Sequence, residues 1–299
     1  MAYQYFTLSG PSIRLLALLP GRADDLLRGE VFEAGLSSNP NIRPSYEALS
    51  YAWGDQANTR PLCVVQPDGS FGGTLSLAPN LHSALHRLRL EHSRRIIWCD
   101  LISINQADLK EREQQILRMA DIYRQARRVV VWLEAEADES ALAIKAIEYT
   151  GLQIQIQPEV RTWRPIPNAD PKFSRESQET PHSQQELQAI QKLVARPWFK
   201  RLWVRQEVTL ARSAVVTAGD RQVSWTHLIS AAAFLDTFIR LRGKTDSAFG
   251  RDLFNLVEFG SSWTSFMLAG HANVPKTTTG CGNPLVGTTL TEIASQYRH

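Results

Sequence analysis

Segments with helical periodicity alternate with short apolar segments between residues 79 and 149, and this alternation constrains the fold more than any other feature of the chain. Pro79-Asn80 is a typical helix start, and leucines then repeat with helical spacing. The pattern predicts, in order, a helix from Pro79 to Leu90, a strand over Arg95–Ile102, a helix from Asp108 to Ala126, a strand over Arg127–Leu133 and a helix over Glu139–Tyr149. This order predicts an α/β fold with a mostly parallel sheet flanked by helices.

Shorter segments on either side predict further elements. Strands are predicted over Ile13–Leu19 and Tyr46–Trp53, and Asp108 and Glu111 have the spacing of a capping box. The other predicted elements are a hairpin of Leu62–Val65 and Thr74–Leu77, a hairpin of Ala214–Ala218 and Gln222–Ser224, and helices over Gln184–Ala195, Phe199–Ala211, Thr226–Leu241 and Arg251–Leu268.

Two segments lack periodicity. Residues 152–183 contain five prolines and many polar side chains, which predicts an exposed insertion or flexible loop. The tail from residue 271 is rich in Thr, Gly and Asn. We therefore expect one domain over residues 1–270, and a mobile tail over 271–299 that is the truncated end of a longer protein.

Composition argues against several classes of protein. The chain has 33 basic and 30 acidic residues, and a net charge of +3 does not indicate nucleic acid or an anionic membrane as the main partner. Three distant cysteines predict neither a disulfide framework nor a metal site, and Cys99 lies in an apolar run where a buried, unreactive thiol is expected. His82 and His86 are four residues apart, but no third metal ligand is suggested. No secretory signal or spanning segment is evident, so a cytoplasmic location is expected.

The segment Leu49–Asp55 is the first candidate site. A strand that ends in a small hydroxyl, aromatic residues and Gly-Asp lies where an open α/β sheet usually binds its ligand. Gly54 would let the backbone approach a phosphate or ribose, and the ring of Trp53 would cover a base. The alternative is a buried strand that ends in an ordinary turn.

The segment Trp98–Gln106 is the second candidate. Asp100 lies in an apolar run, where an unpaired carboxylate costs several kcal/mol, so it requires a donor such as Arg112. Asn105 and Gln106 lie between a predicted strand and a predicted helix, at the same edge of the sheet. The alternative is that Asn105 caps a turn and that Asp100 closes a structural hydrogen-bond network.

The segment Arg196–Glu207 is the third candidate. Trp203 and Glu207 are four residues apart on a predicted helix, so they share one face and suit a pocket for a sugar or a cationic ring. The alternative is an interface helix whose glutamate pairs with Arg201 or Arg205.

Taken together, the three segments resemble the sequence blocks of the fungal heterokaryon-incompatibility (HET) domain. The first block, approximately Y-x-A-L-S-Y-x-W-G-D, is matched by Tyr46–Asp55, and the third, R-x-W-F-x-R-x-W-x-x-Q-E, by Arg196–Glu207. The second, W-x-D-x-x-C-I-N-Q, is matched by Trp98–Gln106 except that Ser103 replaces the usual cysteine, which indicates that this position is not a nucleophile. The helix after it carries the remaining matches, Glu111, Arg112, Gln115, Ile122, Tyr123 and Ala126. The resemblance implies an intracellular α/β module that triggers cell death.

HET domains are regarded as distant relatives of TIR domains, and this second resemblance implies a TIR-like, flavodoxin-like sheet. In NAD-cleaving TIR domains the catalytic glutamate follows a tryptophan by four residues, as Glu207 follows Trp203 here. The resemblance implies that Glu207 is the catalytic acid of an NAD+ glycohydrolase, with NAD+ as substrate and no cofactor. The residues expected to line the substrate are Ser50, Tyr51, Trp53, Gly54, Asp55, Asp100, Asn105, Gln106, Arg201 and Trp203.

The same blocks are compatible with other functions. One is a non-catalytic signalling or oligomerisation module that recruits a death executor, and another is a sensor that binds a nucleotide without cleaving it. The TIR resemblance also implies a homo-oligomer on activation, and the HET resemblance implies an upstream sensor protein or domain as a partner. A pocket that holds Glu207 beside Ser50–Asp55 would favour catalysis, whereas a Glu207 tied to Arg201 or Arg205 would favour scaffolding.

Overall fold

The computed structural model describes residues 1–37, 44–157, 162–175, 177, 179–201, 204–241 and 250–251, except for the side chains of residues 204–206. All of these residues belong to one compact unit, Met1–Met267. The described strands are β1 (Ser12–Leu18), β2 (Arg28–Gly35), β3 (Glu47–Tyr51), β4 (Arg60–Val65), β5 (Phe71–Leu77), β6 (Arg95–Trp98), β7 (Arg128–Trp132), β8 (Ile154–Gln157), β9 (Thr162–Pro165), β10 (Ala214–Ala218) and β11 (Arg221–Ser224). The helices are α1 (Pro79–Leu88), α2 (Asp100–Ser103), α3 (Leu109–Gln125), α4 (Ser140–Gln153), α5 (Gln184–Val194), α6 (Val204–Thr209) and α7 (Trp225–Leu241).

Nine of these strands form one sheet in the order β11-β10-β7-β3-β6-β1-β2-β4-β5, and β8 pairs with β9 separately. The neighbours β10, β7, β3 and β6 are parallel to one another, while β1 runs antiparallel to both of its neighbours. The predicted α/β class is therefore confirmed, with a mixed sheet in which the parallel strands are central. Read across the sheet from β6 to β10, these four strands are the second, first, third and fourth in chain order. In sheets with this arrangement, ligands bind beyond the carboxyl ends of the strands.

Two hydrophobic clusters cover the two faces of the sheet. Alternate side chains of each strand point to opposite faces, so that Val129 and Val131 of β7 enter one cluster while Val130 and Trp132 enter the other. The first cluster includes buried residues of α3, α4, α5 and α7, and the second includes those of α1. Helices thus flank the sheet on both faces, as the alternating pattern predicts.

Both predicted hairpins are confirmed, as β4–β5 and β10–β11. The helix predicted over Thr226–Leu241 is α7. The helix predicted over Arg251–Leu268 falls outside the described residues beyond Arg251, and the tail 271–299 with the boundary at residue 270 falls wholly outside them.

The segment 152–183 differs from its prediction. It contains β8, β9 and a 3-10 turn at Pro171–Phe173. Trp163 and Phe173 are buried and each packs an aromatic ring against Phe234 of α7. The prediction of an exposed loop is therefore wrong for these residues, because burial of the two rings on α7 is a contact between distant segments that local composition does not reveal.

Three local predictions also need correction. Strand β2 has no predicted counterpart, because its glycines and glutamates mask the strand pattern. The strand predicted over Arg95–Ile102 ends at Trp98, and Asp100 begins the short helix α2. Asp108 caps α3 as predicted, but the carboxylate of Glu111 pairs with buried Arg14 (Nη2–Oε2 2.9 Å) and so does not complete a capping box.

Within the described residues, no helix is both long and apolar enough to span a membrane.

Candidate functional site

The carboxyl end of β3 brings the first and third candidate segments together. Ser50 and Tyr51 are adjacent on this strand, so their side chains point to opposite faces of the sheet. Ser50 meets Glu207 of α6 on one face, and Tyr51 meets Asp100 on the other. Two carboxylates therefore approach the end of the same strand from opposite sides.

A chain of hydrogen bonds holds Glu207. The indole Nε1 of Trp198 donates to the Ser50 hydroxyl over 2.8 Å, and that hydroxyl donates to the Glu207 carboxylate. Because an indole nitrogen can only donate, the proton of the Ser50 hydroxyl is left for Glu207. Tyr123 lies close enough to the carboxylate to affect its pKa, and its hydroxyl donates to the backbone carbonyl of Leu49 over 3.4 Å. All four side chains are buried, and Glu207 is 2% exposed.

The loop before α6 is anchored to the sheet through Arg196. Its guanidinium is buried and donates to three backbone carbonyls after β7, including that of Ala137 at 2.8 Å. Pro197 then begins a 3-10 turn that ends at Lys200 and carries Trp198 into the core. The helix predicted over Phe199–Ala211 is thus divided into this turn and α6, which begins at Val204.

Asp100 is held by aromatic donors. The hydroxyl of Tyr51 and the indole Nε1 of Trp53 donate to its two carboxylate oxygens over 2.9 and 2.7 Å. The side chain of Gln106 donates to the Asp100 backbone carbonyl over 3.1 Å. The prediction that Asp100 needs a donor is confirmed, but the donors are Tyr51 and Trp53 of the first segment and not Arg112.

Arg201 is close to Glu207 and is near enough to Asp100 to affect its pKa. Its guanidinium donates to the backbone carbonyl of Tyr51, and one of its nitrogens lies 3.8 Å from a carboxylate oxygen of Glu207. That separation is longer than a hydrogen bond, so the contact is electrostatic. The same positive charge also favours the ionised form of Asp100.

Burial dominates the electrostatics of both acids. Burial and, to a smaller extent, the charge of Asp100 raise the pKa of Glu207 to about 6, against the opposing effects of Arg201, Ser50 and Tyr123. Burial also raises the pKa of Asp100, although its two aromatic donors oppose this. Because a single cation lies near both acids, ionisation of both carboxyl groups at once is unfavourable. Glu207 can therefore accept a proton close to neutral pH.

The remaining predicted site residues lie apart from this network. Gly54 is exposed with φ of 67°, as the predicted turn requires, and Asp55 is exposed and accepts a bond from the backbone N–H of Ala57 at 2.9 Å. The Asn105 side chain accepts from the backbone N–H of Ala107 at 3.2 Å, which is the local capping alternative. Trp203 lies outside the described residues.

Two residues of the network were not among the predicted site residues. Trp198 lies in the third sequence block, and Tyr123 is one of the matches in the helix that follows the second, so the family resemblance was the available signal. Their contacts with Ser50 and Glu207 join segments from distant parts of the chain, and no local pattern reports such contacts.

A cavity of about 830 Å³ opens on the α1 face of the sheet, near the ends of β7 and β10. Trp132, His82 and His86 line it, and Glu207 does not. Trp132 and the segment after β3 are bridged by Asn80, which accepts from the indole over 2.8 Å and donates to the carbonyl of Ala52 over 2.6 Å. The side chain of Asn80 therefore links a residue that lines the cavity to the backbone of the first candidate segment by hydrogen bonds.

Cys99 directly precedes Asp100 in the chain, but its thiol is not expected to react. Cys99 is buried, as predicted, and burial raises the pKa of its thiol well above the usual range. The described residues contain no cluster of three or more histidine, cysteine, aspartate or glutamate side chains that could hold a metal ion.

Comparison with known proteins agrees with the three sequence blocks. Residues 46–207 match the profile of the family described as heterokaryon incompatibility protein (HET). The chain is 33% identical over 263 residues to heterokaryon incompatibility protein 6, OR allele, of Neurospora crassa. That match covers 80% of this chain and 38% of the relative, so the chain spans well under half of the length of that protein. No solved structure matches the chain. Because the profile match covers more than half of its residues, the chain belongs to the heterokaryon incompatibility (HET) family.

Proposed function

We propose that the chain is a cell-death effector of fungal heterokaryon incompatibility that hydrolyses NAD+ to nicotinamide and ADP-ribose at Glu207. The observation that supports this most directly is a buried carboxylate with a pKa of about 6, held by Ser50 at the carboxyl end of a central parallel strand. The family match and the name of the Neurospora relative support the part in incompatibility.

The proposed chemistry uses the charge of the ionised carboxylate. As the bond between nicotinamide and ribose breaks, its electron pair leaves with nicotinamide and positive charge develops on the ribose ring. The Glu207 carboxylate offsets this charge, and in a site shielded from water that stabilisation is large. Water then forms the new bond to the ribose carbon and gives up one proton, for which a carboxylate with a pKa of about 6 is a suitable acceptor.

The other residues take supporting roles in this proposal. Trp198 and Ser50 orient the carboxylate of Glu207, and the positive charge of Arg201 favours its ionised form despite burial. Trp53 offers an aromatic ring at the same end of β3, and Asp100 holds that ring through its indole nitrogen. We further propose action in the cytosol, activation by self-association under an upstream sensor, and no nucleic-acid partner.

The proposal is tested by incubating the full chain with NAD+ at high protein concentration and separating the products by chromatography. We expect nicotinamide and ADP-ribose from the wild type, and at least a hundredfold slower release from Glu207→Gln. Glu113→Gln removes an exposed glutamate of α3 and serves as the matched control, with unchanged turnover. Equal turnover by wild type and Glu207→Gln would exclude Glu207 from the reaction.

A non-catalytic assembly module is the second candidate. Its support is the 2% exposure of Glu207 and the proximity of Arg201, which together are also compatible with a structural ion pair. This candidate predicts that wild type and Glu207→Gln both leave NAD+ intact while the variant changes the oligomeric state measured by light scattering. Consumption of NAD+ by the wild type would by itself reject the non-catalytic candidate.

A further inference from the structure

A group of arginines surrounds one buried carboxylate at the amino ends of the parallel strands, opposite the edge that carries Glu207. Glu47, Arg95 and Arg128 are the first residues of β3, β6 and β7. Arg95 and Arg128 donate to the two oxygens of Glu47, and Arg127 donates to it over 3.1 Å. Three guanidinium groups therefore share one carboxylate.

A cavity of about 350 Å³ opens at this cluster, and we call it the basic cavity. Glu47 and the arginines 94, 95, 127 and 128 contribute its charged lining. These groups carry an excess of three positive charges, and among the described residues one further acid lies within ion-pair distance of them, Glu30, at 3.7 Å from Arg94. The surroundings of the basic cavity thus favour an anion.

Unused hydrogen-bond donors strengthen this argument. Nη2 of Arg95 is buried and has no hydrogen-bond partner among the described residues, although a buried unpaired donor costs free energy. Arg127 and Arg128 each reach Glu47 through one nitrogen, which leaves their other donors available. A planar guanidinium binds phosphate oxygens in pairs, and a carboxylate with two oxygens cannot satisfy three such groups.

We propose that the basic cavity binds a phosphate-bearing small molecule, whose phosphate accepts hydrogen bonds from Arg127 and Arg128, while Arg94 and Arg95 contribute positive charge. The volume is at the lower end of the range for ligand pockets, which suits a compact phosphorylated molecule. The site is independent of the proposed chemistry at Glu207, because it lies at the other ends of the same strands.

The proposal is tested by calorimetric titration of the full chain with inorganic pyrophosphate, at an ionic strength held constant with chloride. We expect saturable binding of one equivalent. Arg127→Gln removes a largely exposed donor and should weaken binding by about tenfold. Arg124→Gln removes the same charge from an exposed arginine of α3, paired with Asp121, and should leave the affinity within about twofold.

A second variant separates a binding site from a purely structural ion pair. Glu47→Gln removes the carboxylate that competes for the arginines, so pyrophosphate should bind this variant more tightly and raise its unfolding temperature by more than that of the wild type. Absence of saturable binding by the wild type would overturn the proposal. If Arg127→Gln and Arg124→Gln weakened pyrophosphate binding equally, the proposal would also be overturned, since binding would then reflect general charge. Binding of heparin but not of pyrophosphate would overturn it too.

Discussion

Replacement of Glu207 by glutamine should change how the stability of the protein depends on pH. In the folded protein the pKa of Glu207 is about 6, above the ordinary value of 4.5. Between these values the folded state binds more protons than the unfolded state, so the free energy of unfolding falls as pH rises. The difference between 4.5 and about 6 corresponds to roughly 2 kcal/mol, lost almost completely between pH 4 and pH 7.

Glutamine keeps the size of the side chain and an acceptor for the Ser50 hydroxyl, but it does not titrate. The free energy of unfolding of Glu207→Gln, minus that of the wild type, should therefore increase by about 2 kcal/mol from pH 4 to pH 7. Urea unfolding at four pH values measures this difference, and subtraction removes the groups that titrate equally in both proteins. Glu113→Gln, at an exposed position of α3, is the matched control for the loss of one carboxylate.

Two results would refute this reasoning. A difference that does not vary with pH would mean that Glu207 titrates at its ordinary value in the folded protein. A difference that decreases as pH rises would mean that Arg201 lowers the pKa of Glu207, as in a structural salt bridge. The second result would also favour the assembly module over the enzyme.

Two further substitutions test the surroundings of Glu207, and a third tests the packing of α4 against α7. Asp100→Asn removes a like charge, so the pH at which Glu207 titrates should move down, as read from the same unfolding series. Trp198→Phe removes the donor to Ser50 and leaves space in the core, and it should lower the free energy of unfolding by about 1–3 kcal/mol in urea. Gly151→Ala should lower the unfolding temperature, because its Cβ would lie 2.6 Å from the Cα of His227, and a cost of about 1–3 kcal/mol is expected. An unchanged unfolding temperature would show that α4 and α7 separate without penalty.

The local elements that the sequence predicts are those whose pattern is contained in one segment. The helix α1 begins at Pro79 and the hairpin β10–β11 has the predicted bounds within one residue, because capping residues, turns and apolar spacing are local. The sequence also predicts the first two candidate segments at one edge of a parallel sheet, and Tyr51 of the first meets Asp100 of the second there, while Ser50 meets Glu207 of the third. That success follows from topology, since the carboxyl ends of parallel strands share an edge.

The predictions that were wrong or incomplete involve contacts between distant segments. The donors to Asp100 come from Tyr51 and Trp53, nearly fifty residues away, and nothing in the sequence near Asp100 identifies them. Trp163 is buried against α7 for the same reason, although its surroundings are polar and rich in proline. Tertiary packing decides these positions, and periodicity within a segment cannot report it.

A comparison within the protein distinguishes the two buried glutamates of β3 and α6. Glu47 is 3% exposed, and although burial opposes its ionisation, Arg95, Arg128 and Arg127 outweigh that effect and lower its pKa. Glu207 is equally buried, but it has one cation at 3.8 Å and a second carboxylate nearby, and its pKa is raised. A glutamate that only joins elements gains from the first arrangement, whereas the second reduces stability at neutral pH. Natural proteins tolerate such a loss of stability mainly at functional sites, and this supports the proposal of a functional role for Glu207 rather than for Glu47.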